Sequence, residues 1–546
     1  MLARNLYLLI LFLVLPLYAP SGYVGLGDAK VRLYVVFSVL FCAWFLIRGL
    51  ISRIPHLPRK PLQTASRQKN QSDSENTDAD CMSEAGTLHL RLWRLFILLL
   101  IASLLLSSLL SGSFSNAWSG ADGWMMGFLV QALSLFFAFL FSFPVFGAGE
   151  HSRKFGTYCL YAGAGITIFL GIANRFRFYP FSYMGIDYTY LSTLGNIDWF
   201  CGYLSVVVPI LMGDLYLARL DRQSGRTVYV KELLLVMSFL ILILSGTESC
   251  YLILGVCFVS LAVVSVQNQA GLPAFLEQLA AFCLLPVLLH ICLITRRPEL
   301  DRYLYENTQG ISWRLIHDWY GVAFLAAAVS ILLWISRMGY QNSFLWESPI
   351  RRSLIRNATS RHAAPVKKQK DASCARYLRC FELLCLAGTV LLLLVQVLLP
   401  ALYSDRFGSS RGLIWNTCSE IYRGLPLSQK LFGIGPDCLY PYLLSHPEYR
   451  SVFLNRFGMD IMNAHSILLN RLLTTGLVGM MLYLVIIVLS LRIWNRKLRS
   501  LPYIMMLLCY LAVGTVLFDQ ITCLPLMLIL MGIGIRQELT TPGRRT

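Results

Sequence analysis

Apolar residues run along the chain in blocks of about 16 to 24, broken by short polar stretches. A helix rising about 1.5 Å per residue needs about twenty such residues to cross a hydrocarbon core. Lipid offers the backbone no hydrogen-bond partner, so each block is expected to be a helix. The blocks fall at about 5–19, 31–51, 92–111, 124–147, 155–173, 197–218, 232–246, 250–266, 274–294, 319–336, 380–403, 466–491, 502–517 and 520–536. Leu6 to Leu17 has the length of a signal-peptide core, but only Arg4 precedes it and further apolar blocks follow. It is read as the first span. The pattern predicts an all-α, polytopic transmembrane bundle of about fourteen spans. Residues 1–403 hold membrane helices and cytoplasmic loops (52–91 partly disordered, 337–379 basic), 404–463 form an extracytoplasmic helical loop, and 464–546 return to membrane helices and a short tail.

Composition agrees. Hydrophobic residues make up 56% and charged residues 14%, against roughly a quarter charged in a soluble domain. The net charge of +18 would suggest nucleic acid in a soluble protein, but its placement argues otherwise. Basic residues gather from Arg48 through Arg94, at Arg153–Lys154, from Arg219 through Lys231, from Arg337 through Arg379, from Arg492 through Arg499, and at Arg536, Arg544 and Arg545. The alternate loops Ala19 to Asp28 and Ser111 to Gly123 hold none. This is the positive-inside pattern, with both termini in the cytoplasm and no nucleic-acid partner. The loop Thr295 to Asp318, with Arg296, Arg297, Arg302 and Arg314, is the exception, basic yet expected outside. Of fifteen cysteines most lie in apolar blocks, and none forms a CxxC pair or a Cys/His cluster of metal-ligand spacing.

Three stretches between the blocks are long. The middle of Ser52 to His89 is too polar to order itself. Its Asp78-Ala-Asp80 looks like the metal-holding DxD pair of nucleotide-sugar transferases, but two acids in an acidic solvated loop account for it. Arg337 to Arg379, with Lys367-Lys-Gln-Lys370, is expected to lie on anionic headgroups of the bilayer. Its Asn357-Ala-Thr359 fits a glycosylation acceptor that stays unused on the cytoplasmic side. Ser404 to Asn463 mixes charges with aromatics and Gly/Pro turns, the signature of a folded cap.

Within that cap, Gly408-Ser-Ser-Arg-Gly-Leu-Ile-Trp415 opens a helix, with Ser409 or Ser410 as the N-cap. Arg411 then sits in the first turn beside unpaired N–H groups, a corner suited to an anion, unless it merely snorkels or pairs with Asp405. The turn Leu431-Phe-Gly-Ile-Gly-Pro-Asp437 brings the chain back over the membrane. Next, Asn463-Ala-His-Ser opens a span punctuated by Gly476 and Gly479, where close packing is expected. With Asn463 as cap, the helix dipole keeps His465 neutral and able to accept a proton, unless it is simply an interfacial His.

This order of an Arg-bearing helix, a GxGP turn and an Asn-Ala-His-Ser span resembles the O-antigen ligase and Wzy-type polymerase superfamily, over about Ser409 to Gly479. Thr193-Leu-Gly-Asn-Ile-Asp-Trp-Phe-Cys-Gly-Tyr-Leu204 looks like that family's Gly-Asn-x-Asn segment. The resemblance implies a GT-C-like bundle in the bacterial cytoplasmic (inner) membrane and metal-independent transfer or polymerisation of glycan. The donor is an undecaprenyl-diphosphate-linked glycan, the acceptor a sugar hydroxyl of a glycan or lipid core, and other envelope polysaccharide assembly proteins are expected partners. It assigns Arg411 to the donor diphosphate and His465 to the base or donor-orienting role, with Asn463, Trp415 and Asn196 as supports, Trp415 also as a sugar-stacking face. No cofactor is implied. The family's Arg-bearing turn reads Ser245-Gly-Thr-Glu-Ser249 here, with Glu248 in the Arg position, so either Arg175, Arg177, Arg314 or Arg406 supplies the second positive charge or the donor is held differently. A lipid-linked oligosaccharide flippase or other transporter is the main rival, and a non-catalytic assembly scaffold the third.

Overall fold

The computed structural model describes residues 2–51, 84–146, 150–180, 190–296, 299, 304, 310–345, 364–399, 404–494 and 497–540. Asp78-Ala-Asp80, Asn357-Ala-Thr359, Arg297 and Arg302 lie outside the described residues.

The apolar blocks are largely helical, with departures at 124–147 and in the last two blocks. The N-terminal half holds α1 (Leu2–Leu17), α2 (Leu26–Ile51), α3 (Glu84–Leu109), α4 (Phe128–Phe141), α5 (Glu150–Arg175), α6 (Ile197–Leu220), α7 (Arg226–Leu244) and α8 (Ser249–Gln267). Then come α9 (Leu272–Leu289), α10 (Trp319–Leu345) and α11 (Ala364–Leu398). Four helices build the cap: α12 (Phe407–Gly424), α13 (Leu427–Phe432), α14 (Leu439–Leu444) and α15 (Pro447–Phe457). The chain closes with α16 (Ile467–Trp494), α17 (Leu501–Val513) and α18 (Leu524–Thr540). Ten helices among the described residues are long and apolar enough to cross a membrane. Outside the helices, a two-residue antiparallel ladder pairs Tyr190 with Asn196 and Leu191 with Gly195.

The core sits around α6. Almost all of its side chains are buried, from Trp199 to Ala218, whereas α2, α10 and α11 expose theirs as lipid-facing helices do. α6 packs on α17, α16 on α3, and α18 on α4. Polar groups that the core swallows find partners. Lys30 is fully buried, its Nζ donating to Leu15 O (2.8 Å) and Pro16 O (2.9 Å), carbonyls in the last turn of α1. Arg471, read from sequence as part of an apolar span, pairs with Asp519 at 2.5 Å, and Asp519 also accepts the Tyr510 hydroxyl at 2.5 Å.

Two breaks shape the C-terminal third. The blocks 502–517 and 520–536 were expected to be nearly continuous helices. Instead α17 stops at Val513 and α18 starts at Leu524, leaving 514–523 unwound. α16 is interrupted at Gly476 (φ +70°), and the cap turn docks into that break: Ile434 N–H donates to Leu473 O (3.1 Å) and Gly435 N–H to Thr474 O (3.0 Å). The close approach needs glycine on both sides. A Cβ on Gly433 (φ +82°) would lie 2.2 Å from Thr474 O, and one on Gly476 would lie 2.3 Å from the Leu431 carbonyl carbon. The expected helix-to-helix role of Gly476 is therefore a helix-to-turn contact.

Gly433→Ala and Gly476→Ala should each lower the thermal midpoint of the detergent-solubilised protein, at a cost of about 1–3 kcal/mol from overpacking and positive-φ strain. Gly388→Ala, which meets nothing within 4 Å, should leave it unchanged. Equal behaviour of all three would contradict the docked turn.

Candidate functional site

The site assembles from three segments far apart in sequence. The first is the start of α6. The short hairpin delivers Asn196 as the helix N-cap, its Oδ1 accepting the Trp199 N–H at 3.0 Å. Asp198 is thereby set in the first helical turn.

The second is the start of α12. Gly408, Ser409 and Ser410 all take left-handed φ values (56°, 59° and 69°), so regular helix begins at Arg411. Ser410 is not the N-cap expected: its hydroxyl accepts from Arg456 Nε (3.1 Å) and Nη2 (2.8 Å). Arg411 reaches back across the bundle. Its Nε donates to Val516 O (2.9 Å), Nη1 to Gly408 O (3.1 Å), and Nη2 to both carboxylate oxygens of Asp198 (3.2 and 3.3 Å). Asp405, the alternative partner, instead accepts from Asn416 Nδ2 at 3.3 Å. A guanidinium has five N–H groups. Nε, Nη1 and Nη2 all carry protein acceptors here.

The third is the turn before α16. Asn463 does not cap the helix; its Oδ1 accepts the His465 N–H at 3.0 Å, and Asn470 Oδ1 accepts the Ala464 N–H at 3.2 Å. His465 is held with φ +47° by these bonds and by Trp415 Nε1, which donates to the His465 carbonyl at 3.3 Å. Trp415 lies four residues after Arg411 on α12, so one helix positions both groups. Trp415 is 3% exposed, so its indole is buried rather than presented to a sugar. The His465 ring meets Phe518 edge-on at 4.9 Å, and its Nδ1 is buried with no hydrogen-bond partner among the described residues. Burial, followed by the positive charge of Arg411, lowers the imidazole from its ordinary 6.5 to about 3. The neutral ring expected from sequence is present, but burial and a neighbouring cation keep it so, where the helix dipole was expected to.

The unwound segment 514–523 forms the floor, and sequence reading missed it. Gly514 O accepts the Ile467 N–H (2.7 Å), Val516 O takes Arg411, and Phe518 packs on both His465 and Trp124. Gln520 Nε2 donates to Trp199 O (3.3 Å) and Asp198 O (3.4 Å). Asp519-Gln520 inside an apolar run was the available signal. The GxGP turn contributes Asp437, whose Oδ2 accepts the N–H groups of Ala121 (2.8 Å) and Met126 (3.0 Å). Burial pushes its carboxyl up to about 7, against the pull of those two N–H groups.

The remaining arginines are dispersed. Arg175 is buried, its Nη2 donating to Ser245 O (2.9 Å), so it backs the very turn in which Glu248 replaces the expected Arg. That turn touches α6 through Cys250, whose Sγ lies 3.0 Å from that of Cys201. Arg406 is exposed at the head of α12, and Arg314 is exposed on the short helix Ile311–His317; no hydrogen bond joins either to Arg411 or His465 among the described residues. Arg456, not singled out from the sequence, bonds the hydroxyl of Ser410, the residue before Arg411. Among the described residues no three His, Cys, Asp or Glu side chains converge to hold a metal.

Comparisons with protein-family models, curated proteins and solved structures return no match.

A base whose folded-state value lies below its ordinary one is stabilising while neutral, above pH 6.5, and loses that contribution as pH falls from 6.5 toward about 3. Nitrogen NMR of labelled histidine should show His465 neutral throughout the range where exposed histidines titrate. Protonation near 6.5 would contradict the buried site.

Proposed function

We propose that this chain is a membrane glycosyltransferase of the O-antigen ligase and Wzy-type kind. In this reading it crosses a bacterial cytoplasmic membrane about fourteen times as a GT-C-like bundle, both ends inside, with the cap and site outside. The observation that carries the reading is a meeting. The stretches 193–204 and 409–479, which bear the resemblance separately, come together through the Arg411–Asp198 pair, with the neutral His465 in the same cluster.

The chemistry follows from the groups present. The donor is a glycan on undecaprenyl diphosphate, and the acceptor is a sugar hydroxyl of a growing chain or lipid core. The hydroxyl proton is assigned to the neutral imidazole of His465. The acceptor oxygen bonds to the anomeric carbon as the bond from that carbon to the phosphate oxygen breaks. The lipid diphosphate leaves with the electron pair, and the positive charge of Arg411 stabilises it. Arg456, bonded to the hydroxyl of Ser410 beside Arg411 in the chain, is the candidate second cation in this reading, while Arg175 steadies the Glu248 turn.

One observation favours the transporter alternative: Arg471 is buried and its ionisable partner Asp519 half-buried within the bundle, where transporters keep their coupling groups. Both are engaged by protein, Asp519 by Arg471 and Tyr510, and Arg471 also lies over the Tyr483 ring at 4.1 Å. That is the arrangement of a structural pair.

Purified protein in liposomes with an undecaprenyl-diphosphate-linked glycan and acceptor should give transferred or elongated product. Arg411→Ala and His465→Ala should each reduce it by about a hundredfold or more while the protein stays inserted and folded. Full transfer by a well-expressed His465→Ala protein would remove the base assignment. Donor redistributed between leaflets without product means a flippase, and neither outcome means a scaffold.

A further inference from the structure

A groove of about 530 Å³ opens between the loop after α1 and the first turns of α2, lined by Tyr18, Ser21, Val24, Asp28, Arg32 and Val36 among others. It lies at the same end of the bundle as Arg411 but is not part of that site. Asp28 Oδ1 accepts the Gly123 N–H (2.8 Å), and the next residue, Trp124, packs against Trp199 at 5.1 Å and Phe518 at 4.7 Å. The groove faces sideways: Val24 and Val36 are exposed on its rim, on a helix long and apolar enough to cross a membrane.

Two charged side chains stand in this apolar frame, one turn apart on α2. Arg32 is exposed and makes no hydrogen bond or ion pair with any described residue. A guanidinium at the head of a lipid-facing helix draws its acceptors from lipid headgroups or water. Asp28 spends one oxygen on Gly123 and does not close an ion pair with Arg32. The groove therefore offers a cation and an anion held apart, above a wall of Leu33 and Val36. The complementary headgroup carries a phosphate and, a few bonds away, an ammonium that can donate hydrogen bonds. A trimethylated ammonium lacks the N–H donors, an anionic glycerol headgroup leaves Asp28 unmatched, and a lipid diphosphate adds charge that Asp28 repels.

We propose that this groove is a binding site for one phosphoethanolamine-headed bilayer lipid, its phosphate on Arg32, its ammonium on Asp28, and its chains along Leu33 and Val36. It is a site for a membrane lipid and is separate from the diphosphate site at Arg411.

Native mass spectrometry of the full chain, delipidated and then offered phosphatidylethanolamine, phosphatidylcholine and phosphatidylglycerol in equal amounts, tests it. One retained phosphatidylethanolamine, preferred about tenfold over each of the others, is expected. Arg32→Gln, at an exposed position, should abolish the preference. Asp28→Asn keeps the acceptor for Gly123 and should shift retention toward phosphatidylglycerol. Retention of no lipid, of all lipids equally, or of phosphatidylcholine or phosphatidylglycerol by preference overturns the proposal, as does unchanged retention in Arg32→Gln.

Discussion

A guanidinium withdrawn from water must find its acceptors in the protein, because a buried unpaired charge costs several kcal/mol. Arg411 finds them in three places: Gly408 on its own helix, Val516 in the unwound floor, and Asp198 at the head of the central helix. One side chain thus fastens the cap to the bundle at two points. Everything else in the candidate site is arranged around that fastening. Asn196 exists in this position to set Asp198 in the first turn of α6, and Gln520 ties the carbonyls of Asp198 and Trp199 to the floor. A cation so held also makes a second positive charge nearby unfavourable, which adds to burial in keeping His465 neutral. The same bond that orders the site sets its proton inventory.

The fastening is possible because helices are broken where the cap meets them. Irregular backbone at membrane depth persists only where the protein itself satisfies its N–H and C=O groups. The floor satisfies this with the Gly514 carbonyl on Ile467 and the Val516 carbonyl on Arg411. The break in α16 satisfies it with Leu473 and Thr474 bonded to the cap turn. Each break is filled by a segment from elsewhere, so cap, floor and α16 form one unit that no part could keep alone.

Hydropathy made the bundle legible, since the need to hide backbone from lipid imposes a run length that survives in any apolar sequence. It also made Arg411 and His465 visible, as polar groups at the edges of apolar helices. What it could not carry was pairing. Asp198 lies 213 residues from Arg411, and nothing periodic in either stretch announces the contact; the nearer Asp405 was the natural alternative and bonds Asn416 instead. The unwound floor was hidden because Val513 to Leu524 is as apolar as the helices flanking it, apart from Asp519 and Gln520. Local chemistry misled in smaller ways as well. Ser410 has the residue type of a cap, yet a left-handed backbone turns its hydroxyl to Arg456. Trp415 has the residue type of a sugar platform, yet its indole is buried against the His465 carbonyl.

The pairing of Asp198 with Arg411 is the claim on which this arrangement stands, and a double-mutant cycle reads it without any assumption about activity. Thermal stability of Asp198→Asn, Arg411→Gln and the double variant in detergent gives the coupling between the two side chains. The contact described here predicts that the double variant is less destabilised than the sum of the singles by about 1–3 kcal/mol. Single effects that add to within about 0.5 kcal/mol would mean that the two groups do not meet, and the site would come apart with them.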